Sequence, residues 1–206
     1  MHPNPTYRQT PRELNLAFAR ERGFGILALN GPEGPLAAHV PFVVAEDCAF
    51  LELHLVRSNP VARALAEPQS ALLAVSGPDA YISPDWYATD HQVPTWNYIA
   101  VHLRGTVHLL AHEEMRGQLD RLSATFENRL LPKTPWLTAK MPDETLDRML
   151  RQIVPARMDI AQVDGTWKLA QNKTEAARLA AAGHVGASPV GGDPQAVARL
   201  MRAPPS

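Results

Sequence analysis

Nineteen prolines spread through 206 residues constrain this chain more than any other feature. Each fixes φ and removes a backbone donor, so the pattern predicts short regular elements joined by many pinned loops. With 45% hydrophobic and 20% charged residues, the chain is globular rather than disordered or fibrous. Its length fits one domain of ordinary size, or one with a helical appendage. Lys plus Arg total 20 against 21 Asp plus Glu, for a net charge of -1. No global field therefore favours a polyanion, and nucleic-acid binding gains no support. Cys48 is the only cysteine; it excludes an intrachain disulfide framework, suits a reducing compartment and reads as a small buried hydrophobe. The start, Met1-His2-Pro3-Asn4-Pro5, lacks the pattern of a signal peptide, and no apolar run approaches the ~20 residues of a membrane span. The expectation is a cytoplasmic protein with no membrane association.

Along the chain, Thr10-Pro11-Arg12-Glu13 reads as a capping box and Gly23 as a stop, giving a helix over about 11–22. Apolar runs at Phe24 to Leu29, Leu36 to Val44 and Ala49 to Leu55, parted by turn residues, predict a three-stranded antiparallel meander. Asn59-Pro60 starts a short helix ending before Pro68. Strands follow at Ala71 to Ser76 and Ala80 to Ser83, separated by Gly77-Pro78, and an irregular loop runs from Pro84 to Pro94. Such a loop is long enough to suspect function. From Thr95 to Leu110 the residues alternate, with Ile99, Val101, Leu103, Val107 and Leu109 on one face. The other face carries Trp96, Tyr98, His102, Arg104, Thr106 and His108, too aromatic and basic for plain solvent. Helical spacing of Met115, Leu119, Leu122 and Phe126, and again of Leu146, Met149, Leu150 and Ile153, predicts two amphipathic helices. Ala156 to Val163, Asp164-Gly165 and Thr166 to Leu169 read as a hairpin, and Thr174 to Ala182 as a helix closed by Gly183. Asp193-Pro194 caps a last short helix through about Met201.

Three constellations carry chemistry. His54-Leu55-Val56-Arg57-Ser58-Asn59-Pro60 joins a strand end, a cation and a helix start. Those components suit an anion, gripped by Arg57 and by free backbone amides; equally, Asn59 merely caps the helix and Arg57 is solvated. Aromatic rings beside prolines in residues 77–87 and 93–98 favour stacking on a planar ligand, an oligomer interface, or both. Trp167-Lys168-Leu169-Ala170-Gln171-Asn172-Lys173 is either a strand end with a helix cap, or a place where Lys168 or Lys173 offsets phosphate charge and Gln171 or Asn172 donates to a flavin carbonyl. His108 and His112 straddle a strand end and a helix start without completing a zinc set, so no metal site is expected. No Walker loop, G-x-S-x-G elbow or G-x-G-x-x-G fingerprint is present in the sequence.

With these residues in place, the chain resembles the PaiB-like family, described as FMN-binding negative transcriptional regulators. The likeness runs through Ala38-His39-Val40-Pro41, the segment from His54 to Pro60, the segment from Gly77 to Tyr87, Val93 to His102, and Trp167 to Asn172, and covers almost all of residues 1–182. It implies an α+β fold: a six-stranded antiparallel split β-barrel with peripheral helices, like that of pyridoxamine-phosphate oxidases. It also implies a homodimer with FMN between the subunits. The implied domain is 1–182, with 183–206 a linker and short helix, partly flexible. By that likeness Arg57, Ser58 and Asn59 hold the phosphate, and His39, His54, Tyr81, Ser83, Thr95, Trp96, Asn97, Tyr98, His102, Lys168, Gln171 and Asn172 line the rest. Phe126-Glu127 stands before Pro135-Trp136 where the family often has His-Glu, and Ala170 and Lys173 stand where serine and arginine are common. Two functions follow. One is negative regulation of transcription, with no helix-turn-helix to read DNA directly, so that it runs through a partner, a small-molecule substrate or an effector. The other is an FMN-dependent oxidoreductase, similar to pyridoxamine-phosphate oxidases or flavin reductases, with no catalytic residue assigned.

Overall fold

The computed structural model describes residues 1–205. The helices are α1 (Arg12–Arg22), α2 (Pro60–Ala64), α3 (Met115–Glu127), α4 (Asp143–Leu150), α5 (Glu175–Val185) and α6 (Pro194–Arg202). The strands are β1 (Phe24–Gly31), β2 (Gly34–Val44), β3 (Phe50–Val56), β4 (Gln69–Ile82), β5 (Thr95–Leu109) and β6 (Ile153–Lys168). Two compact units emerge, one built from Ala19–Ala74 with Leu103–Gln162, the other from Met1–Phe18, Val75–His102 and the chain from Val163 onward.

The strands close into a barrel in the order β1-β2-β3-β6-β5-β4, and β1, β2 and β3 lie wholly in the first unit. This is the six-stranded α+β barrel that the family resemblance implies. The meander is antiparallel, with Phe24 opposite Pro41 and Phe42 opposite Leu53, and β3 then pairs with β6 from Phe50↔Asp159 to Val56↔Ile153. Period-2 alternation sends Leu27, Leu29, Val40, Phe42, Leu51, Leu53, Leu55, Leu73, Leu103, Val107 and Met158 inward, where all are buried. Each such side chain contributes about 1.5–3 kcal/mol on burial. The apolar stripes of α3 and α4 meet outside the barrel, Met115 packing with Leu146 and Leu150. Cys48, expected to be buried, sits half-buried in the β2–β3 turn at φ 58°, where Arg20 donates to its Sγ at 3.1 Å.

The second unit gathers Ala80, Ile82, Tyr87, Ile99, Trp167, Leu169 and the small residues of α5 against Val197, Ala198 and Met201 of α6. Helix α5 runs through Gly183 to Val185, so Gly183 does not close it as the sequence suggests. Asp193 caps α6 by accepting from Ala196 N at 2.9 Å, Asp79 accepts from Gly192 N at 2.8 Å, and Arg202 donates to Ala182 O at 3.2 Å.

Four expectations are corrected. Gly77-Pro78 does not interrupt β4, and Asp164-Gly165 is no hairpin turn, because β6 continues straight through it. Both glycines serve close approach instead: a Cβ on Gly77 would meet Phe18 and Ile99 at 2.6 and 2.8 Å, and one on Gly165 would overlap the Asn15 carboxamide. The second amphipathic helix stops at Leu150, and Ile153 opens β6. Nor do the prolines keep the elements short, since Pro41, Pro78 and Pro155 lie within strands of 11, 14 and 16 residues. A proline keeps its carbonyl as acceptor, and Pro155 O receives Leu110 N at 2.9 Å. Among the described residues no helix is long and apolar enough to cross a membrane.

Candidate functional site

In the barrel unit, β3 ends at Val56 and α2 begins at Pro60, leaving Arg57-Ser58-Asn59 at the corner. Asn59 is extended at φ -64°, ψ 134°, and its Oδ1 accepts from Val61 N at 2.9 Å. It is the helix cap that its residue type forecast. Arg57 is fixed from both ends: its backbone N donates to Gln152 O at 2.8 Å, Nε to Arg151 O at 2.9 Å and Nη2 to Ile153 O at 3.3 Å. Two of its five guanidinium donors are thereby used, and the remainder stay available. Val56, Arg57, Ser58, Arg63 and Gln152 line an open cleft of about 510 Å³. Arg63, in the last turn of α2, went unnoticed in the sequence because a lone arginine in a short helix carries no motif. Two guanidinium groups and a hydroxyl, with no carboxylate among the lining residues, form a donor set that fits a phosphate.

His54, two residues before the strand end, points to the outside of the barrel, opposite to Leu53 and Leu55. Its Nδ1 is buried without a hydrogen-bond partner, and burial lowers its pKa. His39 is exposed and stacks on Phe24, ring centroids 6.3 Å apart.

In the other unit, β5 alternates as its sequence requires, with Asn97, Ile99 and Val101 buried and Trp96, Tyr98 and His102 on the opposite face. Trp96 is 46% exposed and meets Tyr81 edge to face at 6.2 Å. Burial raises the pKa of Tyr98. Ser83 precedes a turn of 3-10 helix, Pro84–Tyr87, without spending its hydroxyl on a capping bond, so the expected loop is partly regular.

Thr95, Asn97, Lys168 and Asn172 come together in this second unit, where with Tyr7, Tyr87, Val93, Ala170 and Lys173 they line a small cavity of about 140 Å³. Lys168 donates to Thr95 Oγ1, and Lys173 to Gln92 Oε1 at 2.6 Å. Burial, with the Lys173 charge adding to it, holds the Lys168 ammonium below its usual range. The Tyr87 phenol is pushed up to about 12, by burial first and by Tyr7 second. Tyr7 and Tyr87 also place their rings 6.0 and 5.3 Å from the two ammonium nitrogens. Tyr87 ends the aromatic segment 77–87 singled out in the sequence, whereas Tyr7 carried no motif that would have announced it. Gln171 belongs to the turn rather than the cavity: Oε1 accepts from Leu169 N at 2.8 Å, and Nε2 donates to Trp167 O. That pair of bonds holds Ala170 at φ 64°, a left-handed conformation unusual for a residue with a Cβ. The expected residues thus divide, with His39, His54, Arg57, Ser58 and Asn59 in the barrel unit and the others in its companion.

Comparison with known proteins adds the family. The model of the family described as "Putative FMN-binding domain" matches residues 1–162. The protease synthase and sporulation protein PAI 2 of Bacillus subtilis (strain 168) is 31% identical over 171 residues, spanning 82% of this chain and 81% of that protein. Among solved structures, the FAD and heme binding protein from Mycobacterium smegmatis superimposes with a TM-score of 0.58 at 20% identity, covering 79% of this chain and 73% of its own. The flavocytochrome Anf3 from Azotobacter vinelandii gives 0.56 at 12% identity, covering 81% and 72%. At these identities the structural likeness is one of fold.

Proposed function

This chain belongs to the PaiB-like family of FMN-binding domains, and from that premise we propose that it works as a flavin-dependent homodimer that lowers transcription, with the flavin phosphate seated on Arg57, Ser58 and Arg63. FMN is its cofactor. The single observation that carries the seat is the cleft at the β3–α2 corner, where two guanidinium groups and a hydroxyl converge with no carboxylate in the lining. Arg57 is held by two carbonyl groups before any ligand arrives, so little side-chain entropy remains to be lost on binding.

When bound, the isoalloxazine supplies the redox chemistry. The residues of the chain bind and orient it. The exposed Trp96, with Tyr81 beside it and Tyr98 on the same strand face, is the surface we assign to the second subunit, since large aromatics in contact with water are the usual centre of such an interface. The transcriptional role rests on the resemblance to negative regulators and is exerted through a partner or a small molecule, in a cytoplasmic setting. The free Cys48 is consistent with that compartment.

The test is a titration of the purified protein with FMN, followed by flavin fluorescence, together with light scattering after gel filtration. The expected outcome is saturable binding of one FMN per chain and a mass of two chains. A protein that ignores added FMN, or that stays monomeric when loaded, overturns the corresponding half of the reading.

A further inference from the structure

We propose that the small cavity walled by Tyr7, Tyr87, Thr95, Asn97, Lys168 and Lys173 is a separate binding site for a small 2-hydroxycarboxylate or a comparable monoanion of three or four carbons. Size sets the first limit. At about 140 Å³, and with roughly 30 Å³ for each water in the liquid, the cavity holds the equivalent of only a few waters. Pockets for drug-sized ligands run to about 300–1,000 Å³. A flavin ring system is larger than this space; a lactate-sized molecule is not.

Charge sets the second limit. Two lysines line the cavity and no carboxylate does. Each ammonium has three donors and spends one inside the protein, Lys168 on Thr95 and Lys173 on Gln92. Burial first and the Lys173 charge second lower the pKa of Lys168, and an anion between the two ammonium groups offsets the repulsion. The phenols of Tyr7 and Tyr87 are held neutral by their raised pKa values and so remain hydroxyl donors at physiological pH.

The remaining walls choose a carboxylate over an inorganic anion. Tyrosine rings, Val93 and Ala170 offer apolar surface for a short carbon body. Asn97 is 1% exposed; its amide nitrogen donates to Met201 Sδ at 3.4 Å, and its Oδ1 has no donor. A ligand hydroxyl supplies one, and acetate, which has no hydroxyl, does not.

Calorimetric titration of L-lactate, acetate and inorganic phosphate into the FMN-loaded full chain tests this. We expect one saturable lactate site per chain, weaker binding of acetate and of phosphate, and at least about a tenfold loss in Lys173→Met, the scale of one charged hydrogen bond. Lys168→Met should act likewise; if it lowers Tm, Lys173→Gln carries the comparison. FMN affinity should stay unchanged in the Lys173 variants, and Arg57→Ala should retain lactate while losing FMN. The proposal is overturned by no saturable lactate binding, by lactate binding that survives both lysine changes, or by phosphate binding more tightly than lactate. Competition between lactate and FMN, with the lysine variants losing FMN, would instead make the cavity part of the flavin seat.

Discussion

Trp167 donates its indole Nε1–H to Asn15 Oδ1 at 2.8 Å, both side chains buried, joining the end of β6 to α1. Asn15 completes the arrangement by donating Nδ2 to Thr10 O at 3.0 Å and Pro11 O at 3.2 Å. Asn15→Leu keeps the size but leaves the indole N–H and Thr10 O without their partner, while Pro11 O keeps the backbone N–H of residue 15 at 3.1 Å. The expected loss is about 1–3 kcal/mol for the stranded indole donor, read as a lower urea midpoint at unchanged m. A midpoint equal to that of the parent would mean that water replaces the carboxamide.

Gly165 lies against that same carboxamide. Any Cβ there overlaps Asn15 Oδ1, so Gly165→Ala must push α1 away from β6 or break the bond to Trp167. Overpacking of this kind costs about 1–3 kcal/mol, and the double variant Gly165→Ala with Asn15→Ala should recover part of it, because the smaller side chain vacates the space. Additive losses across that cycle would show that the two positions do not share the strain.

Much of the fold was legible. The meander, the short helix after Asn59 and the alternation of β5 follow from turn residues and period-2 patterning, and each lies where the sequence put it. What misled was glycine. Gly77 and Gly165 look like turn signals, yet each is small because another element passes close to it, a fact that only tertiary structure contains. The candidate sites were legible in proportion to local context. Arg57 and Asn59 announce a strand-to-helix corner, but Arg63 joins them only once α2 has wound. Tyr7 and Tyr87 reach Lys168 and Lys173 across long stretches of sequence, and no spacing rule relates them.

His54 gives stability a pH dependence of predictable sign. Burial lowers its folded pKa below the ordinary 6.5, so the unfolded chain takes up a proton first as pH falls. This group therefore imposes no cost above about pH 6.5, a growing loss of stability below it, and no further change once pH passes the folded pKa. His54→Gln should remove that part of the slope. Urea unfolding of both proteins from pH 7.5 to 5 measures it, and a difference between them that stays constant over the range refutes the assignment.

Arg57 and Arg63 face one cleft but are not equivalent. Arg57 is braced by Arg151 O and Ile153 O, while the Arg63 side chain extends from a short helix with no hydrogen bond to hold its guanidinium among the described residues. A braced guanidinium loses less entropy on gripping an anion. Arg57→Ala should therefore weaken FMN by about 1.5–3 kcal/mol, as expected for hydrogen bonds to a charged group. Arg63→Ala should cost less, and its effect should fade with added salt, since an exposed charge is screened. Riboflavin, which lacks the phosphate, separates the contact from a general disturbance: its affinity should be the same in both variants and the parent. Equal losses for FMN and riboflavin would mean that the corner shapes the ring site instead, and unaltered FMN affinity in Arg57→Ala would move the phosphate elsewhere on the barrel.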